Sequence, residues 1–229
     1  MKAEEYFGDW LPYIDLKELD DILRTISKKS PFYPEPKNVF RAFKECRAEN
    51  VVAVFLGQDP YPVKGKATGL MFGNPVATDE KKLSPSLQVI RDSLMGYDMP
   101  HPERTFDITM ESWARQGILM LNTSLTVSPG KPGSHSLYWR PFIRKFLTAF
   151  SLCNTGMTYV LFGRQAQSFK DCVSPMSGKV IELRHPASLA RDKERYPEGL
   201  FLQIGKHIRS VTGKDIRWYE QNDLEYYDA

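Results

Sequence analysis

Val51-Val52-Ala53-Val54-Phe55-Leu56-Gly57-Gln58-Asp59-Pro60-Tyr61-Pro62 is the stretch whose reading decides the fold. An unbroken apolar run, rich in β-branched residues, passes straight into a polar turn. A run of strand length with no polar interruption suits a strand buried on both faces, as in a parallel sheet. Working outward, three further strand candidates occupy residues 118–121, 158–162 and 180–183. Between the second and third lies an amphipathic helical pattern with Trp139, Phe142, Ile143, Phe146, Leu147 and Phe150 on one face. Helical patterns also cover residues 87–94, 166–169 and 200–211.

Upstream, Leu16, Leu19, Ile22, Leu23 and Ile26 recur at helical spacing, with Asp15 and Glu18 placed as a capping box. The Pro-rich crossing from Ser30 to Pro36 stops that helix, and a short helix around Val39, Phe40 and Phe43 follows. Strands separated by helices indicate βαβ units. The expectation is one α/β domain over residues 1–229, built as three α/β/α layers. Residues 1–49 form a helical N-terminal part with a packing role, and the acidic end, 222–229, forms a tail.

Composition narrows the function little. The chain has 229 residues, 41% of them hydrophobic and 12% aromatic, enough for a substantial core. Its net charge of +3 is too mild to imply nucleic acid, so a DNA argument must rest on local residues. Cys46, Cys153 and Cys172 are far apart, with no Cys-x-x-Cys pair, which points to reduced, buried thiols rather than zinc or disulfides. The segment Met1-Lys2-Ala3-Glu4-Glu5 carries acid where a signal peptide carries positive charge, and no apolar run reaches membrane-spanning length. An intracellular, reducing compartment and no membrane partner are therefore expected.

The polar residues fall in a pattern. The strand candidates run into Gly57-Gln58-Asp59, into Asn122-Thr123-Ser124, into Gly163-Arg164-Gln165 and into Arg184-His185-Pro186. In open parallel sheets the ligand crevice lies outside the carboxyl ends of the strands. An Asp, an Asn and a His thus converge on one rim. Each also has a plain structural reading: Asp59 as a turn former before Pro60, Asn122 as a strand-end cap, His185 as a satisfied structural histidine. Tyr61 and Phe72 are equally suited to the core. Residue chemistry by itself reaches an α/β protein with a polar cleft.

Several motifs in order carry a resemblance. Gly57-Gln58-Asp59-Pro60-Tyr61-Pro62 is similar to the water-activating loop of the family 1 uracil-DNA glycosylases. The similarity continues through Gly69-Leu70-Met71-Phe72, Ser84-Pro85-Ser86-Leu87, the run from Trp113 to Asn122, Leu125-Thr126-Val127, Ser134-His135 with Trp139, and His185-Pro186-Ala187-Ser188-Leu189. It spans roughly residues 50 to 218. The resemblance implies four parallel strands, a flipped-out uracil, and neither metal nor organic cofactor. Partners would be uracil-containing DNA, single- or double-stranded, and a uracil-DNA glycosylase inhibitor protein, with the enzyme a monomer. The compartment would be cytoplasmic in a prokaryote and otherwise nuclear or that of a viral host.

The resemblance also implies roles. Asp59 would stabilise the sugar cation and orient water, and His185 would stabilise the departing uracil anion, with the Gln58 backbone N–H assisting. Asn122 would read O4 and N3–H of uracil, refusing cytosine; the Tyr61 ring would exclude the thymine methyl; Phe72 would stack on the base. Ser86, Ser188, Gly163 and Arg164 would contact DNA, and Leu189 would be the apolar wedge filling the space the base leaves.

Three departures fall outside that chemistry. Pro62 replaces the usual His, Gly163-Arg164 replaces Gly-Ser, and Ala187-Ser188-Leu189-Ala190 replaces Ser-Pro-Leu-Ser. All touch DNA gripping or loop stiffness, so altered DNA affinity and salt dependence are expected. Two rivals are a uracil-DNA-binding protein without turnover and a glycosylase of broader pyrimidine range. Retention of Asp59 and His185 argues against the first, and Tyr61 against the second.

Overall fold

The computed structural model describes residues 2–79, 82–95 and 104–221. In chain order its strands are β1 (Ala53–Gly57), β2 (Arg104–Thr105), β3 (Ile118–Asn122), β4 (Met157–Phe162), β5 (Gly178–Leu183) and β6 (Glu220–Gln221). Its helices are α1 (Ala3–Phe7), α2 (Leu16–Ser27), α3 (Arg41–Glu45), α4 (Pro85–Met95), α5 (Glu111–Arg115), α6 (Ser136–Cys153), α7 (Gly163–Gln167), α8 (Pro186–Asp192) and α9 (Leu200–Thr212). Four strands make the expected parallel sheet, in the order β3-β1-β4-β5, while β2 and β6 pair antiparallel beside it.

The apolar run behaves as its composition dictates. Every residue of β1 is buried, and both its edges are paired, Ala53 against Ile118 on one side and Thr158 on the other. Phe55 lies within 6.2 Å of the Trp113, Phe162 and Trp218 rings, and Phe201 of α9 closes that cluster against Trp113 and Trp218. A second cluster stacks Phe142, Phe146 and Phe150 along α6, and Trp10 and Phe43 pack onto it. These aromatic contacts tie the helical layers together, because large rings bury the most area per residue.

The N-terminal part is tied in by buried polar and strand contacts. Trp10 Nε1–H is shared between the Phe43 and Cys46 carbonyls at 2.8 and 2.9 Å, and Tyr33 pairs with Val127 beside the sheet. Asp15 caps α2 by accepting from the Lys17 and Glu18 backbone N–H groups. The capping box is not completed: the Glu18 carboxylate takes Lys145 of α6 at 3.1 Å instead, a tertiary ion pair displacing a local one.

Other expectations need correction. The helix expected at 166–169 begins earlier, at Gly163, directly off β4. The helices α5 and α8 were not foreseen, because five or seven residues are too few for a helical period to stand out. Cys46 and Cys172 are buried free thiols, but Cys153 is exposed at the last position of α6. The proposed acidic tail lies outside the described residues. Among the described residues no helix is long and apolar enough to cross a membrane.

Candidate active site

The carboxyl ends of β1 and β3 are stitched together. Gly57 and Asn122 are register partners. The Gly57 carbonyl accepts from Thr123 N–H at 3.0 Å, and the Gln58 carbonyl accepts from Ser124 N–H at 3.0 Å and Thr123 Oγ1 at 2.7 Å. A methyl on Gly57 would lie 2.7 Å from Asn122 Oδ1 and from Met71 Cγ, so only glycine lets these side chains close over the strand end. Asn122 is 7% exposed at the floor of a cleft of about 1000 Å³.

That cleft gathers Gln58, Asp59, Tyr61, Phe72, Ser86, Asn122, Gly163, Arg164, His185 and Ser188. Every residue expected in the site from sequence lies there except Leu189. The convergence of four strand ends is the geometry expected for an open parallel sheet.

Asp59 is half-buried, and one carboxylate oxygen accepts the backbone N–H of Gly133. Burial pushes its pKa up, and the Gly133 hydrogen bond pulls it back down. Gly133 has φ +76°, and with Pro132 it forms the kind of Pro-Gly turn that brings a backbone donor inward. The same loop anchors the Gly57–Pro62 stretch a second time, Gly130 N–H donating to the Pro62 carbonyl at 2.8 Å.

His185 caps α8. Its Nδ1 accepts from Ala187 N–H at 3.2 Å, which makes Nδ1 the unprotonated nitrogen and leaves the neutral ring's proton on Nε2. Burial pushes its pKa down to about 4. Gly163 makes this placement possible: a methyl there would meet His185 Cβ at 2.7 Å, and its φ of +84° suits glycine. Gly163 thus supports the His185 ring in addition to lining the cleft.

Phe72 adopts φ +62°, a conformation that costs about 1–3 kcal/mol for a side chain of its size and persists only when its surroundings hold it. Its ring packs edge-on against Phe162 at 5.4 Å and His185 at 5.5 Å. Tyr61 hydroxyl donates to the Phe72 carbonyl at 3.0 Å and lies 2.5 Å from Ser84 Oγ. Burial raises the Tyr61 pKa to about 12, so it stays protonated.

Leu189, expected as the apolar wedge, does not line the cleft: it is 3% exposed and belongs to the core cluster. The reason is α8: continuing the chain as a helix packed on α4 turns Leu189 inward. Arg164 and Arg191 at the cleft wall are exposed, and Arg184 is tied to Asp192 at 2.6 Å and to Glu194. Sequence reasoning missed Gly133 and also Asn74, which is fully buried behind Tyr61 and Phe72.

Fold and rim together define an α/β protein whose strand ends present a carboxylate, an amide and a neutral histidine to one cleft. Residues 43–207 match the model of the Uracil DNA glycosylase superfamily, and the chain belongs to that family. The uracil-DNA glycosylase of Amoebophilus asiaticus is 32% identical, over 91% of this chain and 96% of that one. That of Porphyromonas gingivalis is 31% identical, over 88% and 90%. The crystal structure of mimivirus uracil-DNA glycosylase has a TM-score of 0.68 at 20% identity, covering 95% of this chain and 93% of that one. A mimivirus variant in complex with UGI has a TM-score of 0.72 at 21% identity, covering 95% and 98%. These solved structures share the fold.

Proposed function

We infer that this chain hydrolyses the N-glycosidic bond of uracil in DNA, releasing free uracil and leaving an abasic site for base-excision repair. The observation that carries the reading is the meeting of Asp59, Tyr61, Phe72, Asn122 and His185 in one cleft of a family member.

The chemistry follows from those groups. The base must leave the stack before its bond can be reached. Once in the cleft it lies against Phe72, and Asn122 donates to O4 while accepting N3–H. Cytosine presents the reverse pattern and would leave buried polar groups unpaired. Thymine matches in hydrogen bonding and is refused by the Tyr61 ring beside C5. As the C1′–N1 bond breaks, the sugar gains cation character and uracil leaves as an anion. Ionised Asp59 stabilises the cation and orients the attacking water, which adds to C1′; the proton it sheds is matched by the one the uracil anion takes up to leave as the free base. Neutral His185 offers its Nε2–H to uracil O2, with the Gln58 N–H assisting. Donors aimed at charge that appears only in the transition state lower the barrier itself.

Ser86, Ser188, Gly163 and Arg164 are proposed to hold the DNA backbone, with single- and double-stranded uracil-containing DNA as partners and a monomer as the acting form. A UGI-type inhibitor protein is a further proposed partner, supported by the fold shared with the mimivirus variant. Buried Leu189 anchors α8; a wedge role would require α8 to leave α4.

Incubation with single-stranded oligonucleotides carrying one uracil, thymine or cytosine tests the reading. Abasic sites are expected at uracil alone. Uracil-DNA binding without release from any substrate would replace the enzyme by a sensor, and release of thymine as well would widen its range.

A further inference from the structure

The thymine-excluding ring and the stacking ring share one buried amide. Asn74 is fully buried, two residues beyond Phe72, and its backbone N–H is fixed to the Ile108 carbonyl at 2.8 Å. Its Nδ2 donates to the Phe72 carbonyl and to Ser84 Oγ, both at 3.1 Å, and its Oδ1 accepts from Ser84 N–H at 3.2 Å. Ser84 Oγ in turn lies 2.5 Å from the Tyr61 hydroxyl, which donates to the Phe72 carbonyl at 3.0 Å.

Donor bookkeeping makes this a closed circuit. Tyr61 has one hydroxyl proton, and with it placed on the Phe72 carbonyl, the bond to Ser84 must use the serine proton. Ser84 Oγ then accepts from Asn74, whose second proton returns to the Phe72 carbonyl. Each proton is used once, and both lone pairs of the Phe72 carbonyl are filled. The circuit therefore fixes the outer end of the Tyr61 ring and holds Phe72 in its positive-φ conformation.

We propose that Asn74 is a positioning residue that sets the choice of uracil over thymine, acting through Ser84 on Tyr61 and through the Phe72 carbonyl on the stacking ring. This rests on the reading of Tyr61 and Phe72 as the base-contacting rings. Steric refusal of one methyl works only if the wall cannot yield. A hydrophobic wall alone discriminates a methylene by roughly 10- to 200-fold, and any pivot of the ring erodes that factor. Asn74 touches no part of the base; it denies Tyr61 the pivot.

The test measures kcat/KM for release of uracil and of thymine from single-stranded oligonucleotides. The proteins are the parent, Asn74→Ala, Ser84→Ala, Tyr61→Phe and the Asn74→Ala/Tyr61→Phe pair, with Tyr61→Ala setting the scale of a lost wall. Each single change is expected to lower the uracil-to-thymine ratio about tenfold, the scale of one lost buried hydrogen bond. The pair is expected to lower it no further than Tyr61→Phe does, since both cut one circuit. Thermal unfolding identifies a variant that does not fold, and Ser84→Ala opens the same circuit should Asn74→Ala be that variant. An unchanged ratio in the folded variants overturns the proposal, as do independent, multiplying effects in the pair. A parent that releases no uracil sinks the functional reading instead. The same variants' relative affinities for uracil- and thymine-containing oligonucleotides then decide the positioning role, an unchanged affinity ratio overturning it.

Discussion

The loop leaving β1 and the helix leaving β5 both line the cleft, but one is held by buried polar bonds and the other by a buried leucine beneath a face of exposed charges. Around Gly57 to Pro62, backbone carbonyls accept from Thr123, Ser124 and Gly130, and Asp59 takes the Gly133 N–H. Around α8, Arg184 bridges to Asp192 and Glu194 with its own side chain 49% exposed. Pairs of that kind contribute about 0–1 kcal/mol, whereas a buried donor left unpaired costs about 1–3 kcal/mol. The first region therefore tolerates little change, and in the second only the exposed face of α8 tolerates much. The departures from the family pattern fall on both sides of this difference: Arg164, Ala187, Ser188 and Ala190 sit on or near the surface, whereas Pro62 lies in the tightly bonded loop, where its carbonyl still takes the Gly130 N–H.

If the contrast holds, Asp59→Asn produces the largest effect. Single-turnover uracil release should fall by about 10²- to 10⁴-fold while oligonucleotide affinity stays close to that of the parent. Affinity falling as far as the rate would show that the two halves are not separable. Leu189→Ala comes next and probes the other side. A core leucine costs about 2–5 kcal/mol when cut to alanine, visible as a lower midpoint in urea. A wedge would leave stability alone and weaken activity on duplex DNA more than on single strands, and that outcome would support the wedge role expected from the motif.

The next effect is one of pH. Burial opposes the charge on His185 and puts its pKa at about 4 against about 6.5 for a free histidine, and the Ala187 N–H bond to Nδ1 must break when the ring takes a second proton. A depressed folded-state value means that the unfolded chain binds the proton first. The contribution of neutral His185 is therefore complete above about pH 6.5 and is lost as pH falls through about 4. Asp59 has the opposite sign, its pKa being raised by burial, so the parent alone would mix the two. Urea unfolding of parent and His185→Asn at pH 7 and pH 4.5 separates them: the stability gap between the two proteins should narrow at the lower pH. A gap that widens would place the proton on Nδ1 in the folded state.

The same division explains what could be read from the sequence. Asp59, Asn122 and His185 stand out because each follows the carboxyl end of a strand candidate, where an open parallel sheet places its ligand crevice. Tyr61 and Phe72 carry no such signal; aromatic residues beside a strand are ordinary core, and only the resemblance singled them out. The links of Asn74 to Ser84, of Ser84 to Tyr61 and of Gly133 to Asp59 were beyond reach because those partners lie 10 to 74 positions apart, with no period to reveal them. The burial of Leu189 was hidden for a different reason: a seven-residue helix sets which side chains face inward, and the motif reading assumed a loop.

Arg164 gives the smallest and most selective test. It is exposed at the first turn of α7, on the cleft wall beside the Gly163 step that supports His185. A guanidinium there meets a phosphate as a point of positive charge and reads no base. Neutralising one phosphate releases its share of condensed counterions, so Arg164→Ala should reduce the slope of log affinity against log salt by about 0.7 on single strands and about 0.9 on duplex. The loss should be uniform across sequences flanking the uracil. An unchanged slope would remove Arg164 from the DNA footprint. A slope reduced only when uracil is present would mean that the exposed wall senses the base, and the separation of a buried reading half from an exposed gripping half would have to be redrawn through α7.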